Sequence, residues 1–244
     1  MTKDCLAIFV TLITILSLSA CSKKGDQATV PNQAASSSYA ASPQANSSPL
    51  EQPNLSTQAS SYVDLTSGNQ LMFLYYALSN IPPDFESMAT NYSQDYRNTS
   101  DAFKKNDIMN VLKPQMLAAI ETAKTQRYGI WTIDYAFIGH YDFNKKAFPL
   151  NSPFLANSSI GFFQDNGRYQ IEFKNGDAFS YMPVADENVA KKIEELVSHG
   201  KQFTIKVYVF AQDANLSRRD VDAVITRADL LDKSGSLLAS NQAK

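Results

Sequence analysis

Asp134, His140 and Asp142 are the side chains whose types and spacing could carry acid–base chemistry in this chain. Residues an even number apart on an unbroken strand project to one face, so positions 140 and 142 would lie about 7 Å apart along it. Two carboxylates beside an imidazole could move protons in the hydrolysis of a polymer, or hold a divalent cation. The same triplet also arises on any strand with a solvated face, because polar-out alternation groups such residues without a function. Other catalytic patterns are absent from the sequence. It has no Gly-X-Ser-X-Gly elbow, no phosphate-cradling glycine loop and no His-Glu-X-X-His helix. Of the two histidines, His199 ends a helical pattern, where it complements the helix dipole. A zinc site of Cys and His ligands is excluded by the shortage of both, and no metal or cofactor is expected.

Cys21 is the other reactive position. Ahead of it come Lys3 and then an uncharged run from Leu6 to Leu18, too short to remain in a bilayer as a spanning helix. That run has the length of the apolar part of a cleavable secretory signal. Leu18-Ser19-Ala20-Cys21 resembles the bacterial lipobox, in which the signal is cut before the cysteine, here between Ala20 and Cys21. The thiol then carries diacylglycerol, and palmitate labelling reports it. Cys5 would leave with the signal, so Cys21 would be the one thiol of the mature chain and no internal disulfide could form. The expectation is a bacterial lipoprotein with signal peptide 1–20, held to the membrane through the lipid on Cys21, in the cell envelope. Ser22, rather than Asp, after the cysteine fits outer-membrane sorting in a Gram-negative cell.

These reactive residues need a scaffold, and composition divides the chain. Residues 22–60 hold nine Ser and four Pro with few large apolar side chains. Such a stretch buries too little surface to offset its conformational entropy, so 21–60 reads as a disordered tether with a reach of roughly 35 Å. Residues 61–240 read as one globular domain of ample size for its own core. A formal net charge of −2 with no basic stripe argues against a nucleic-acid partner.

The first half of that domain has helical spacing. Ser67-Gly68-Asn69-Gln70 has capping-box spacing before Leu71–Leu78. Phe85, Met88, Tyr92 and Tyr96 recur on one helical face, and Ser100 is placed to cap a third helix that Pro114 should kink or split. The second half alternates. Trp131 to Phe143 reads as one long strand bent at Gly139, and Asn144-Lys145-Lys146 as the turn to a partner strand ending near Leu150. Asn166-Gly167 and Asn175-Gly176 read as hairpin turns joining three strands, 160–164, 168–174 and 179–182, in an antiparallel meander. A helix over 186–199 precedes strands from Phe203 and Val221 and a last short strand at Leu237-Leu238. The fold class is α+β: N-terminal helices packed on an antiparallel sheet, a sandwich or partial barrel, with one further helix before the last long strands.

Ile133-Asp134-Tyr135-Ala136-Phe137, Tyr141 through Leu150, Val207-Tyr208-Val209-Phe210-Ala211 and Leu230 through Gly235 carry a resemblance. Over roughly residues 65 to 240 the chain resembles an uncharacterised bacterial envelope family, Domain of Unknown Function 4852. The shared patterns are strands and turns, and the resemblance implies no activity.

The functional expectation is a membrane-anchored module that binds an envelope protein or polymer without catalysing a reaction. The alternative is a hydrolase of a cell-wall or surface polymer using Asp134, His140 and Asp142. A carrier of a small ligand would require an apolar cavity. Arg218-Arg219 and Lys145-Lys146 read as solvated loop charges.

Overall fold

The structure, a computed structural model, describes residues 50–150, 161 and 163–244. The expected signal peptide, Ala20, Cys21 and most of the expected tether lie outside the described residues. Among the described residues, no helix is long and apolar enough to cross a membrane.

Strand β1 (Val63–Leu65) leads into α1 (Gly68–Leu78), whose capping box forms as expected: Ser67 accepts from the helix backbone, and Gln70 reaches back to the Ser67 N–H. Leu71 and Met72 are fully buried, so α1 is the keystone of the core. The next apolar stripe is not one helix. Ser93 is extended (φ −122°, ψ 120°), ends α2 (Phe85–Tyr92), and caps α3 (Gln94–Asn98) through its Oγ. Asp101, not Ser100, caps α4 (Ala102–Thr125), accepting from the N–H groups of Phe103 and Lys104. A carboxylate one residue later is the stronger partner for the positive end of the helix. Pro114 does not split α4. The carbonyl that loses its partner belongs to exposed Asn110, which water can satisfy, while Met116, Ile120 and Ala123 keep the other face in the core.

β2 (Tyr128–Ala136) pairs parallel to β1, and α1 to α4 form the long crossover that such pairing needs. β2 stops far short of Phe143. The ladder to β6 (Phe203–Asn215) shifts register between Ile133 and Ala136, with Tyr135 at φ 59°. One irregular residue moves every later side chain to the other face. Phe137 is therefore exposed and Ile138 buried, opposite to the expected alternation. The bend is at Tyr135, not Gly139.

The chain then forms an arm. Ile138 bridges Leu150 and Asp142 bridges Ala147 around the turn at 143–146. β3 (Ala147–Pro149) pairs antiparallel with β5 (Tyr181–Pro183) as a separate two-stranded sheet. Of the expected three-stranded meander, the first pairing is reduced to one antiparallel bridge, Gly161 to Ile171, residues 160 and 162 lying outside the described residues, and the second hairpin does not form. β4 (Gln170–Phe173) pairs parallel with β7 (Asp220–Leu231) instead. Asn175 has φ −114°, incompatible with the positive φ of the tight hairpin turn. Its side chain pairs with the backbone of Ile225, Nδ2 donating to the carbonyl at 2.9 Å and Oδ1 accepting from the N–H at 2.8 Å. The asparagine thus extends the β4–β7 edge rather than reversing the chain.

Helix α5 (Glu187–Ser198), capped by Asp186, precedes β6. The main sheet runs β1-β2-β6-β7-β4, and β8 (Leu237–Gln242) pairs with the later half of β7 on the edge whose earlier half holds β4. The sheet is mostly antiparallel with two parallel pairings, and the domain is α+β. Val207, Val209, Val221, Ala223 and Ile225 form its buried face in one cluster with α1 and α4.

The globular part starts earlier than residue 61. Glu51 pairs with Arg127 at 2.5 Å, and the Asn54 N–H donates to the Tyr128 hydroxyl at 2.8 Å. Residues from Leu50 onward form a strap on the domain. Contacts of Glu51 with Arg127 and Gln212, and of the Asn54 N–H with Tyr128, not an apolar pattern, hold it there.

Candidate functional site

Asp134, His140 and Asp142 are held by three different partners on three different parts of the fold. Asp134 stays on the main sheet, where its Oδ1 accepts from the Thr204 hydroxyl at 3.3 Å. Asp142 shapes the arm: its Oδ1 accepts from the N–H groups of Asn144 (2.9 Å) and Lys145 (3.1 Å), an Asx turn ending at Lys146 with φ 51°. His140 turns to α5, its Nδ1 2.6 Å from Glu194 Oε1. The single-face arrangement is lost because β2 ends at Ala136. Among the described residues no cluster of His, Cys, Asp and Glu is arranged to hold a metal ion.

What assembles instead is a cleft of about 570 Å³ between the arm and α5. Its walls are His140, Tyr141 and Phe143 on one side and Ala190, Lys191 and Glu194 on the other. Glu194 holds the walls together. Beyond His140, its Oε2 accepts from the Tyr141 N–H at 2.9 Å, and its Oε1 accepts from the Ser198 hydroxyl at 3.2 Å. Partial burial pushes the Glu194 carboxyl up, but the hydrogen bonds from His140, Tyr141 and Ser198 outweigh it and hold it below the usual glutamate range. An ionised Glu194 keeps the proton of a neutral His140 on Nδ1, so Nε2 is the acceptor of a ring that is 73 % exposed.

The arm behind the cleft is fixed. The Tyr141 hydroxyl donates to the Val184 carbonyl at 2.9 Å, Phe148 is fully buried, and Lys145 lies over the Tyr181 ring at 3.6 Å from its centre. Lys145 is thus an exposed loop charge that also stacks on a ring. Phe143 is 83 % exposed at the tip, its ring edge-on to Tyr141. The arrangement is a rigid scaffold with an apolar ring and charges of both signs open to solvent.

A second polar group lies on the main sheet. Glu172, fully buried on β4, faces Asp222 on β7. Lys174 Nζ bridges the two carboxylates at 3.1 Å each, and Arg218 bonds both Glu172 and Asp220. Arg218 is therefore a clamp on buried carboxylates rather than a solvated loop charge. Desolvation raises the Asp222 carboxyl above its usual value despite Lys174. The Lys174 ammonium loses solvation too, but Asp222 and Glu172 more than compensate and raise it. Each of the two carboxylates is paired through one oxygen alone, and Glu172 Oε1 and Asp222 Oδ1 are buried without a hydrogen-bond partner among the described residues.

Sequence reasoning missed Glu194, Lys174 and Glu172. Glu194 and Glu195 share the same local pattern, and only the position of the arm distinguishes them. Glu172 in Ile171-Glu172-Phe173 breaks an apolar run, which is a legible signal of a buried, paired charge. No protein-family model, curated protein or solved structure matches this chain.

Proposed function

We propose that this chain is a lipid-anchored cell-envelope protein, moored through Cys21, whose domain binds a segment of another envelope protein in the cleft between arm and α5. The observation that carries the reading is the pairing of an open aromatic tip, Phe143, with a preformed cleft braced by Glu194. An apolar side chain of the partner would cover Phe143 and Tyr141, and the rim charges would set its register. The cleft carries both signs, with Lys146 and Lys191 beside Glu187 and Glu195. That mixture suits a polypeptide better than a uniformly anionic polymer. The lipobox, from sequence, supports the anchor and an outer-membrane location if the cell is Gram-negative.

Two experiments test the two halves. Labelled palmitate should enter the wild type and not Cys21→Ala; label retained by the variant removes the anchor. Affinity capture from membranes should retain a specific protein with the wild type and lose it at least tenfold with Phe143→Ser. Equal capture by both removes the cleft.

A second reading, hydrolysis of a cell-wall or surface polymer, is favoured by the His140–Glu194 contact on the same cleft. In that case Nε2 of His140 would act as base, with Asp134 and Asp142 contributing nothing to the reaction. Release of labelled fragments from isolated cell wall, abolished by His140→Ala, would support it, and no release by the wild type would end it.

A further inference from the structure

A cavity of about 220 Å³, with a wall quite different from that of the cleft, lies among β1, β2, α1 and α4. Leu65, Leu74, Ala123, Ile171, Val209 and Ala211 line it, and each is buried. Gly129 also lines it, and a Cβ there would fall 2.7 Å from Leu65 Cδ1, so the absent side chain is what lets Leu65 sit where it does. The lining turns polar at Thr122 and Gln126, both exposed, and at Arg127. The lining is thus largely hydrocarbon, with Gln70, Thr122, Gln126 and the cation of Arg127 as its polar members.

Arg127 is held by neutral groups. Its Nε donates to the Ala211 carbonyl and its Nη2 to the Gln212 carbonyl, both at 2.7 Å, and the guanidinium stacks 4.5 Å from the Phe210 ring centre. These contacts fix the position of the cation without neutralising it. The carboxylate that meets it at Nη1 comes from Glu51 on the strap, whose side chain is 68 % exposed while that of Arg127 is 13 % exposed. Glu51, exposed as it is, exchanges Arg127 for water at small cost, so another carboxylate can take its place.

We propose that this cavity is a binding site for a short unbranched aliphatic carboxylate, its tail among Leu65, Leu74, Ala123 and Val209 and its head on Arg127 in place of Glu51. The size sets the chain length. A dry apolar cavity of about 150 Å³ holds benzene, so one of about 220 Å³ takes roughly six to eight carbons. A longer acyl chain, such as that of a membrane lipid, would leave its end outside the cavity. The guanidinium selects a carboxylate over an amine or an alcohol, since the fork of N–H donors matches two oxygens. The strap thereby acts as an internal competitor, and its displacement would loosen residues from 50 onward.

The test uses the full chain with ¹³C-labelled alanine methyls, following the Ala123 and Ala211 signals during titration. Affinity should rise roughly fourfold per added methylene from butanoate to octanoate and stop rising beyond it. Octylamine and octanol should bind at least tenfold more weakly than octanoate. Glu51→Gln, at an exposed position that leaves the core untouched, should bind octanoate several-fold more tightly, and Arg127→Gln at least tenfold more weakly. If Arg127→Gln unfolds, the Glu51→Gln and octylamine results still decide. Methyl signals unmoved by octanoate, equal binding of octylamine, or tighter binding of hexadecanoate than octanoate would each overturn the proposal.

Discussion

Two carboxylates in this molecule meet basic side chains with opposite consequences. Glu172 on β4 is fully buried and bonded by Lys174 and Arg218; Glu194 on α5 is 34 % exposed and bonded by His140, itself 73 % exposed. The chemistry of the contact is similar, and burial makes the difference. A carboxylate out of water depends on its partners, because removing them leaves a charge that nothing solvates. One at the surface exchanges its partner for water at small cost. The network around Glu172 therefore specifies how β4 joins β7. The contact at Glu194 braces a cleft yet leaves its charges able to meet a new partner.

The comparison breaks most directly at Glu172. Glu172→Ala should destabilise the domain by about 3 kcal/mol, the usual cost of breaking a buried pair, in denaturant unfolding. A change below about 1 kcal/mol would mean the network contributes little. Asp165 comes next. It accepts from the Ser67 hydroxyl at 2.5 Å and the Gly68 N–H at 2.9 Å at the start of α1. Asp165→Ala should cost about 1–2 kcal/mol as the loss of a helix cap. Desolvation raises the Asp165 carboxyl, but the hydrogen bonds from Ser67, Gly68 and Asn69 prevail and hold it below 3.8. Its stabilisation is thus complete above pH 3.8 and is lost as pH falls through the lowered value. The wild type and Asp165→Ala should converge in stability at low pH, and a gap that persists there would contradict the assignment.

Smaller effects sharpen the other side. Glu194 is also held low, so its grip on the arm is full above pH 4.5 and fails only below it. Hydrogen exchange at the Tyr141 amide should accelerate in that range, beyond the intrinsic pH effect, while the β6–β7 ladder stays protected. The smallest effect belongs to Phe143. Phe143→Ser should change stability by less than about 0.5 kcal/mol, as expected for a surface position. A larger loss would make Phe143 part of the scaffold.

The α+β class, α5 and the β6–β7 strands were legible because each repeats one period over many residues, and the α1 capping box because its four-residue motif is self-contained. What was not legible turns on single residues. Tyr135 reverses the facing of the strand after it, which no alternation count reveals, and the end of β2 at Ala136 then separates Asp134 from His140. Asn175 carries a strong hairpin signal, yet its side chain is taken up by Ile225 from a distant strand. Parallel pairing of β4 with β7 leaves no local mark. His140 was singled out for its type and does line the cleft, but its partner, Glu194, comes from 54 residues away. Asp134 and Asp142 carry ordinary structural roles that their spacing could not distinguish from chemistry.

Site-specific photo-crosslinking in living cells most directly tests the claim that the cleft is the working surface. A photoreactive residue at position 143 should give one defined adduct with an envelope protein. The same probe at Phe103, 86 % exposed at the start of α4, should give none. Adducts identical at both positions, or none at 143, would contradict the account.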